Sequence, residues 1–163
     1  MAGVVRRMPP LSGAPVRVDV SRGLRDRRGP VHAASFLRQR RIVLDCARAE
    51  FSRILVHEVA HFIWLRLGNP TRRGYEDVVR AEIAGTASGE LGWSAEWRKR
   101  VLRPDDIDRR TRRWREYCCE SFCDTAAWLY SETRHEEFTL PARWRQRRRT
   151  WFAEVLGNRT LSI

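Results

Sequence analysis

The sequence predicts a single α+β domain in which a small, mostly antiparallel sheet packs on one long helix, with a second long helix beside it. Two observations predict this class. Short stretches with apolar residues at alternate positions lie before residue 45, and longer stretches with helical spacing follow it. The 163 residues are enough for one hydrophobic core without a disulfide staple. The chain contains no internal repeat, so we expect one domain.

The chain begins with a segment rich in Pro and Gly, residues 1–15, which predicts a flexible N-terminal arm. The domain would then cover residues 16–163. Its first element is the stretch Val16–Val20, where apolar and polar residues alternate as in a half-buried strand. The next stretch, Ser21–Pro30, contains two Gly and several Arg and predicts a loop.

Two further apolar stretches predict a β-hairpin. They are Val31–Leu37 and Arg41–Leu44, and they are separated by a few polar residues around Gln39. From about Cys46 the apolar spacing becomes helical and covers more than one face, which is typical of a buried helix. Gly68, followed by Asn69-Pro70, predicts the end of this helix.

The second half of the chain predicts four more helices. Ser94 is a good N-cap, Pro104 interrupts the pattern, and Pro141 suits a first helical turn. The long helix that begins at Asp105 or Asp106 carries apolar residues on one side. The predicted helices cover about residues 75–84, 94–102, 105–130 and 141–157.

The apolar first helix contains the pattern His57-Glu58-Val-Ala-His61. On a helix, this spacing directs the two imidazoles from one face and the carboxylate from the adjoining face. Two His nitrogens one turn apart are typical ligands of a catalytic zinc ion, and the Glu between them is placed to act as a general base toward a water molecule. We therefore expect a Zn2+ site with His57 and His61 as ligands and Glu58 as catalytic base.

A catalytic zinc site needs one more protein ligand and leaves a position for water. Glu120 and Asp124 are spaced i, i+4 on the second long helix and therefore share a face. We expect Glu120 to be the third metal ligand and Asp124 to accept a hydrogen bond from a ligand imidazole. Other carboxylates could replace Glu120, although none of them is followed by Asp four residues later: Glu82, Glu90 and Glu116.

The HEVAH motif with a downstream Glu-x-x-x-Asp resembles the gluzincin class of zinc metallopeptidases. It is most similar to the small minigluzincins and more loosely to the ImmA/IrrE-like peptidases. The resemblance covers about residues 31–130 and implies a zincin-like fold, in which an edge strand binds a protein or peptide substrate in extended form. It also implies a donor that stabilises the transition state. The candidates are His135, which we favour, Tyr117 and Tyr130.

The composition limits the compartment and the partners. No apolar run approaches membrane length and no secretory signal is present, so we expect a cytoplasmic protein without a membrane span. The formal charge of +12 comes almost entirely from arginine and permits attraction to nucleic acid, although no nucleic-acid motif accompanies it. We expect the basic run at residues 143–149 to be a solvated helix face. The oligomeric state is not indicated.

The sequence also allows functions other than that of an enzyme. The His pair could be two core histidines, and Glu120 and Asp124 could form ordinary ion pairs with arginines. Three cysteines, Cys118, Cys119 and Cys123, are more simply interpreted as buried thiols than as metal ligands. A non-catalytic metal-binding regulatory protein and a basic nucleic-acid-associated protein are therefore the other functional hypotheses.

Overall fold

The computed structural model describes residues 7–26, 29–131 and 139–163. Within them the chain has an α+β architecture with six helices and three small sheets. The strands are β1 (Leu11–Ser12), β2 (Arg17–Val20), β3 (Arg25–Asp26), β4 (Gly29–Pro30), β5 (Ala33–Phe36), β6 (Arg41–Leu44) and β7 (Leu161–Ser162). The helices are α1 (Phe51–Arg66), α2 (Asn69–Ala84), α3 (Trp93–Arg100), α4 (Pro104–Asp108), α5 (Arg112–Tyr130) and α6 (Ala142–Leu156).

The main sheet has three strands in the order β2-β6-β5. Strands β5 and β6 form the predicted antiparallel hairpin, with Ser35 opposite Ile42. The prediction of a mostly antiparallel sheet is wrong for the other pair, since β2 runs parallel to β6. The chain reverses direction between β2 and β5 and again between β5 and β6. A strand on the far side of β6 therefore points the same way as β6.

The segment predicted to be an N-terminal arm is partly built into the fold. Met8 is buried, and β1 pairs in parallel with β7 at the other end of the chain. The neighbouring stretch that was predicted to be a loop, residues 21–30, contains the short antiparallel pair β3–β4. Both departures involve two-residue strands, which are too short to give a periodic signal in the sequence.

The core is formed mainly by α1 packed against α5, with β6 beneath α1. Nine of the sixteen residues of α1 are buried, as its nearly all-round apolar pattern predicts. At the centre, the Phe122 ring stacks on Phe152 with ring centroids 4.9 Å apart, and it also lies 5.1 Å from Trp64 and 5.4 Å from Tyr75. This aromatic cluster joins α1, α2, α5 and α6 and holds the two long helices in fixed register.

The single helix predicted from Asp105 to Tyr130 is in fact two helices, α4 and α5. Arg110 adopts a left-handed backbone conformation with φ of 47°, which ends the first of them. The Asp106 carboxylate then accepts hydrogen bonds from Thr111 Oγ1 at 2.6 Å and from the Arg103 amide at 3.1 Å. These local bonds offer the backbone an alternative to a continuous helix.

Helix α2 begins earlier than predicted, because Pro70 occupies its first turn instead of only ending α1. Helices α3 and α6 lie close to their predicted positions. Among the described residues, no helix combines the length and the apolarity needed to cross a membrane.

A buried charged cluster ties α6 to the rest of the fold. The Arg148 guanidinium is fully buried and contacts Glu82 at 2.6 Å and Glu90 at 2.9 Å. Tyr117 donates its hydroxyl to Glu90 at 2.6 Å. Burying these charges is costly unless each is paired, and the cluster pairs them across α2, α5, α6 and the loop before α3.

Candidate metal centre

The packing of α1 on α5 brings four of the residues singled out by the motif together. His57 Nε2 lies 3.3 Å from Glu120 Oε2, and His61 Nε2 lies 3.9 Å from the same oxygen. The two imidazole rings are 5.0 Å apart and nearly perpendicular. The side chains of these three residues are 12–17% exposed, so the group is mostly buried but retains some contact with solvent.

Asp124 lies one turn beyond Glu120 and orients His57. Its Oδ1 is 2.8 Å from His57 Nδ1, which leaves Nε2 of the same ring directed toward Glu120. The other oxygen, Oδ2, accepts a hydrogen bond from the Ala95 amide at 3.0 Å. Both oxygens of the buried Asp124 carboxylate are therefore engaged, and the ring orientation of His57 is fixed.

Gly92 makes room for this carboxylate. A Cβ atom at position 92 would overlap the Asp124 carboxylate group. The Gly92 backbone is extended, so close approach, not a special backbone conformation, is what excludes a side chain here.

The two carboxylate oxygens of Glu120 face different partners. Its Oε1 forms an ion pair with Arg98 at 2.9 Å, while Oε2 faces the histidines. Burial alone would raise the pKa of Glu120, but the nearby His57 and His61 side chains, with Arg98, outweigh burial and lower this pKa to about 2. Glu120 is therefore ionised throughout the ordinary pH range and presents one oxygen toward the imidazoles.

Carboxylates and thiols also determine the pKa values of the two histidines. Burial alone would lower the pKa of His57, but Asp124 and Glu120 raise it well above its ordinary value. Burial opposes charging of His61 as well, and its contacts with Cys119 and Glu120 raise its pKa nonetheless. The pocket therefore stabilises positive charge where the imidazole nitrogens meet Glu120.

Glu58 is buried and lies against the edge strand of the sheet. Its Oε2 accepts a hydrogen bond from Ser35 Oγ at 2.5 Å, and the same hydroxyl lies 3.2 Å from the Glu58 carbonyl oxygen. Ser35 is on β5, whose outer edge is unpaired in the described part of the chain. The Glu58 carboxylate therefore contacts a strand whose outer edge is free in this part of the chain.

Two thiols lie on the other edge of the His61 ring. Cys123 Sγ is 3.4 Å from His61 Nδ1, and Cys119 Sγ is 3.5 Å from it. Hydrogen bonds from the Cys123 thiol and from His61 lower the pKa of Cys119 to about 6, whereas burial and the Cys119 charge raise the pKa of Cys123. Donor atoms of His57, His61 and Cys123 lie within 4.8 Å of one another, close enough for one metal ion.

The distances allow two sets of ligands. Two donors that share one tetrahedral metal ion, each about 2.1 Å from it, lie about 3.4 Å apart. The separation between His57 Nε2 and Glu120 Oε2 matches this value, and His61 Nε2 is farther from the same oxygen, at 3.9 Å. Cys123 offers a softer alternative third donor, but its side chain is fully buried.

The structure separates the other candidate residues from this centre. Glu82 and Glu90 belong to the Arg148 cluster, and Glu116 forms an ion pair with Arg112. Tyr117 is buried with its hydroxyl on Glu90, and Tyr130 packs near Phe152. His135, the favoured transition-state donor, lies outside the described residues.

Three residues at the site were missed by sequence reasoning: Ser35, Gly92 and Arg98. None belongs to the HEVAH pattern or to the Glu-x-x-x-Asp pattern, and each comes from a different segment. A single sequence carries no signal for them, because their roles depend on contacts between segments that are distant along the chain.

The basic run on α6 is only partly a solvated face. Arg148 is fully buried, Arg143 lies over the Trp144 ring at 4.9 Å, and Arg149 lies over Trp128 at 4.9 Å. Several of these guanidinium groups therefore contact the protein's own side chains.

Comparison of the chain with known protein families, with curated proteins and with solved structures found no match.

Proposed function

We propose that the protein is a zinc-dependent metallopeptidase in which His57, His61 and Glu120 hold the metal and Glu58 is the general base. The observation that carries the proposal is the convergence of both imidazole Nε2 atoms on one Glu120 oxygen. Two imidazoles and one carboxylate form a ligand set of catalytic zinc sites, which leaves a position for water. The partial exposure of these three side chains favours this open arrangement.

Bound there, zinc would polarise the scissile carbonyl and lower the pKa of the attacking water. Glu58 takes the proton of that water and returns it to the departing amine. Ser35 holds the Glu58 carboxylate in place through its hydroxyl. Asp124 fixes the ring of His57, and Arg98 keeps one oxygen of Glu120 away from the histidines.

The free edge of β5 supports an extended peptide as the substrate. The Asp45 amide donates to the His32 carbonyl at 2.8 Å, which sets the hydrogen-bond alternation along the β5–β6 pair. In this register the backbone groups of Ala33 and Ser35 point away from β6. A substrate strand can therefore pair with them beside Glu58.

The metal ligands are tested by zinc analysis of purified wild type, Glu120→Ala and Glu116→Ala. Glu116 is the matched control, because it lies one turn earlier on α5 and is exposed. We expect about one zinc ion per chain in wild type and in Glu116→Ala, and at least a tenfold weaker affinity in Glu120→Ala. Equal zinc retention in all three proteins would place the third ligand elsewhere. Absence of zinc from reconstituted wild type would end the proposal.

The base is tested with Glu58→Gln, which keeps the shape of the side chain. We expect this variant to retain zinc and to lose hydrolysis of a denatured protein substrate such as casein, which wild type cleaves. Hydrolysis by Glu58→Gln at the wild-type rate would contradict the assigned role.

A second function, non-catalytic metal binding, is favoured by one observation, the proximity of Cys123 to His61. If the buried Cys123 thiolate bound as a fourth ligand beside His57, His61 and Glu120, the site would be closed, without a position for water. Cobalt substitution distinguishes a site with Cys123 as a ligand from one without it. A Cys ligand gives the cobalt-loaded protein an intense near-ultraviolet absorption band, which Cys123→Ser would abolish. If this band is absent from wild type, the second function is excluded.

A further inference from the structure

We propose that the arginine-lined groove beside the metal centre binds acidic residues of the substrate, so that the protein acts on acidic peptide segments. This inference rests on the proposed function and adds the class of substrate to it. The groove has a volume of about 1050 Å³. It is lined by Trp97, Arg98, Arg100, Arg103, Arg112, Arg113 and Glu116, among others.

The groove adjoins the candidate metal centre through Arg98. Arg98 lines it and also contacts Glu120 at 2.9 Å. Glu116 lines it one helical turn before Glu120 on α5. Asp26 also lines the groove. It lies on β3, and the β3–β4 pair precedes the edge strand β5 in the chain. A peptide bound at the metal centre can therefore extend past Arg98 into this groove.

The charge of the lining selects for an acidic ligand. Five arginines line the groove together with two carboxylates, Asp26 and Glu116, and Arg100 is paired at 3.0 Å with Glu96, which lies outside the lining. Arg112 is paired with Glu116 at 2.6 Å, and Arg98 is paired with Glu120. Arg103 and Arg113 are exposed and lie within ion-pair distance of no carboxylate among the described residues. These two guanidinium groups are able to pair with ligand carboxylates.

The groove also contains apolar surface that suits a peptide. Trp97 is 47% exposed and Val101 is 48% exposed, and both line it. Large apolar side chains at such exposure, rimmed by charge, are typical of an interaction surface. A peptide can place apolar side chains on Trp97 and Val101 and carboxylates on the arginines. An acidic peptide with apolar residues therefore fits better than nucleic acid.

Binding is tested by fluorescence anisotropy on the zinc-loaded, full-length Glu58→Gln protein, which holds substrate without cleaving it. The probes are a labelled peptide of alternating Leu and Glu, the same peptide with Gln for every Glu, and a single-stranded oligothymidylate. We expect the Glu peptide to bind about tenfold more tightly than the Gln peptide at low salt, with the difference shrinking as salt rises.

The variant that tests the groove is Arg103→Gln/Arg113→Gln, and its matched control is Arg143→Gln/Arg147→Gln on α6. Both remove two positive charges from exposed positions. We expect only the groove variant to lose the preference for Glu. Equal binding of the Glu and Gln peptides to wild type, or equal loss in both variants, would overturn the proposal. Tighter binding of oligothymidylate that depends on the groove would overturn it in favour of nucleic acid.

Cleavage by the wild-type protein separates this proposal from the proposed function. A peptide mixture is digested, and the residues around each cleaved bond are read by mass spectrometry. Cleavage with enrichment of Asp and Glu near the bond, lost in the groove variant, supports both proposals. Cleavage without enrichment overturns the groove alone. Selective binding of the Glu peptide without any cleavage supports the groove as an acidic-peptide site and rejects the peptidase.

Discussion

Gly92 shows how a residue without a side chain shapes the candidate centre. Its missing Cβ leaves the space that the Asp124 carboxylate occupies, and Asp124 in turn holds His57. Ser35 likewise holds the Glu58 carboxylate through a hydrogen bond, and Arg98 holds the Glu120 carboxylate through an ion pair. At the scale of single residues, the geometry of the motif therefore depends on partners outside it.

Replacing Gly92 by Ala should weaken metal binding at least tenfold, because the added methyl group displaces the Asp124 carboxylate and frees the His57 ring. The measurement is competition with a zinc chelator. Gly68→Ala is the control, since a Cβ there meets only the Pro70 ring at 3.7 Å. Zinc affinity of Gly92→Ala equal to that of Gly68→Ala would argue against this chain of contacts.

At the scale of elements, the pairing of α1 with α5 decides whether the site exists. The histidines are on α1, and the two carboxylates are on α5. The aromatic cluster around Phe122 sets how the two helices meet. A rotation of either helix would separate the donor atoms even though every motif residue remained in place.

Phe122→Ala should lower the free energy of unfolding by about 3–5 kcal/mol, because it leaves a cavity between Trp64, Tyr75 and Phe152. Denaturant unfolding followed by tryptophan fluorescence measures the change. Phe36→Ala, at a position 39% exposed on β5, should cost less than about 1 kcal/mol. Similar losses in the two variants would mean that the cluster does not organise the core.

At the scale of the whole molecule, the buried Arg148 cluster joins segments that lie far apart in the sequence. Burial alone would raise the pKa of Glu90, but the Arg148 guanidinium, helped by Lys99, lowers it below its ordinary value. A carboxylate with a depressed pKa stabilises the fold at pH values above its unfolded pKa of about 4.3. That contribution is lost as the pH falls through the lower, folded pKa.

We therefore expect the free energy of unfolding to decrease as the pH falls below about 4.3. Glu90→Gln should be less stable at neutral pH, because Arg148 loses a partner, and its stability should depend less steeply on acid pH. Denaturant titrations across this range measure both effects. Glu154→Gln, on the exposed side of α6, should retain the wild-type slope. An unchanged slope in Glu90→Gln would assign the acid sensitivity to other carboxylates.

The sequence by itself determined the features that depend on neighbours along the chain. The apolar period predicted α1, the hairpin β5–β6 followed from two strands with a short turn, and the His57–His61 spacing placed both imidazoles on one face. The α+β class followed from these elements. Each signal is local, because helical and strand periodicity is set within a few residues.

Only the tertiary structure decided which distant segments meet. It set β2 parallel to β6, built residues 8–12 into the fold, divided the predicted long helix at Arg110, and buried Arg148 from a run expected to face solvent. It also brought Arg98, Ser35 and Gly92 to the candidate centre. The physical reason is that such contacts arise from packing and charge pairing between remote residues, which leave no periodic pattern in one sequence.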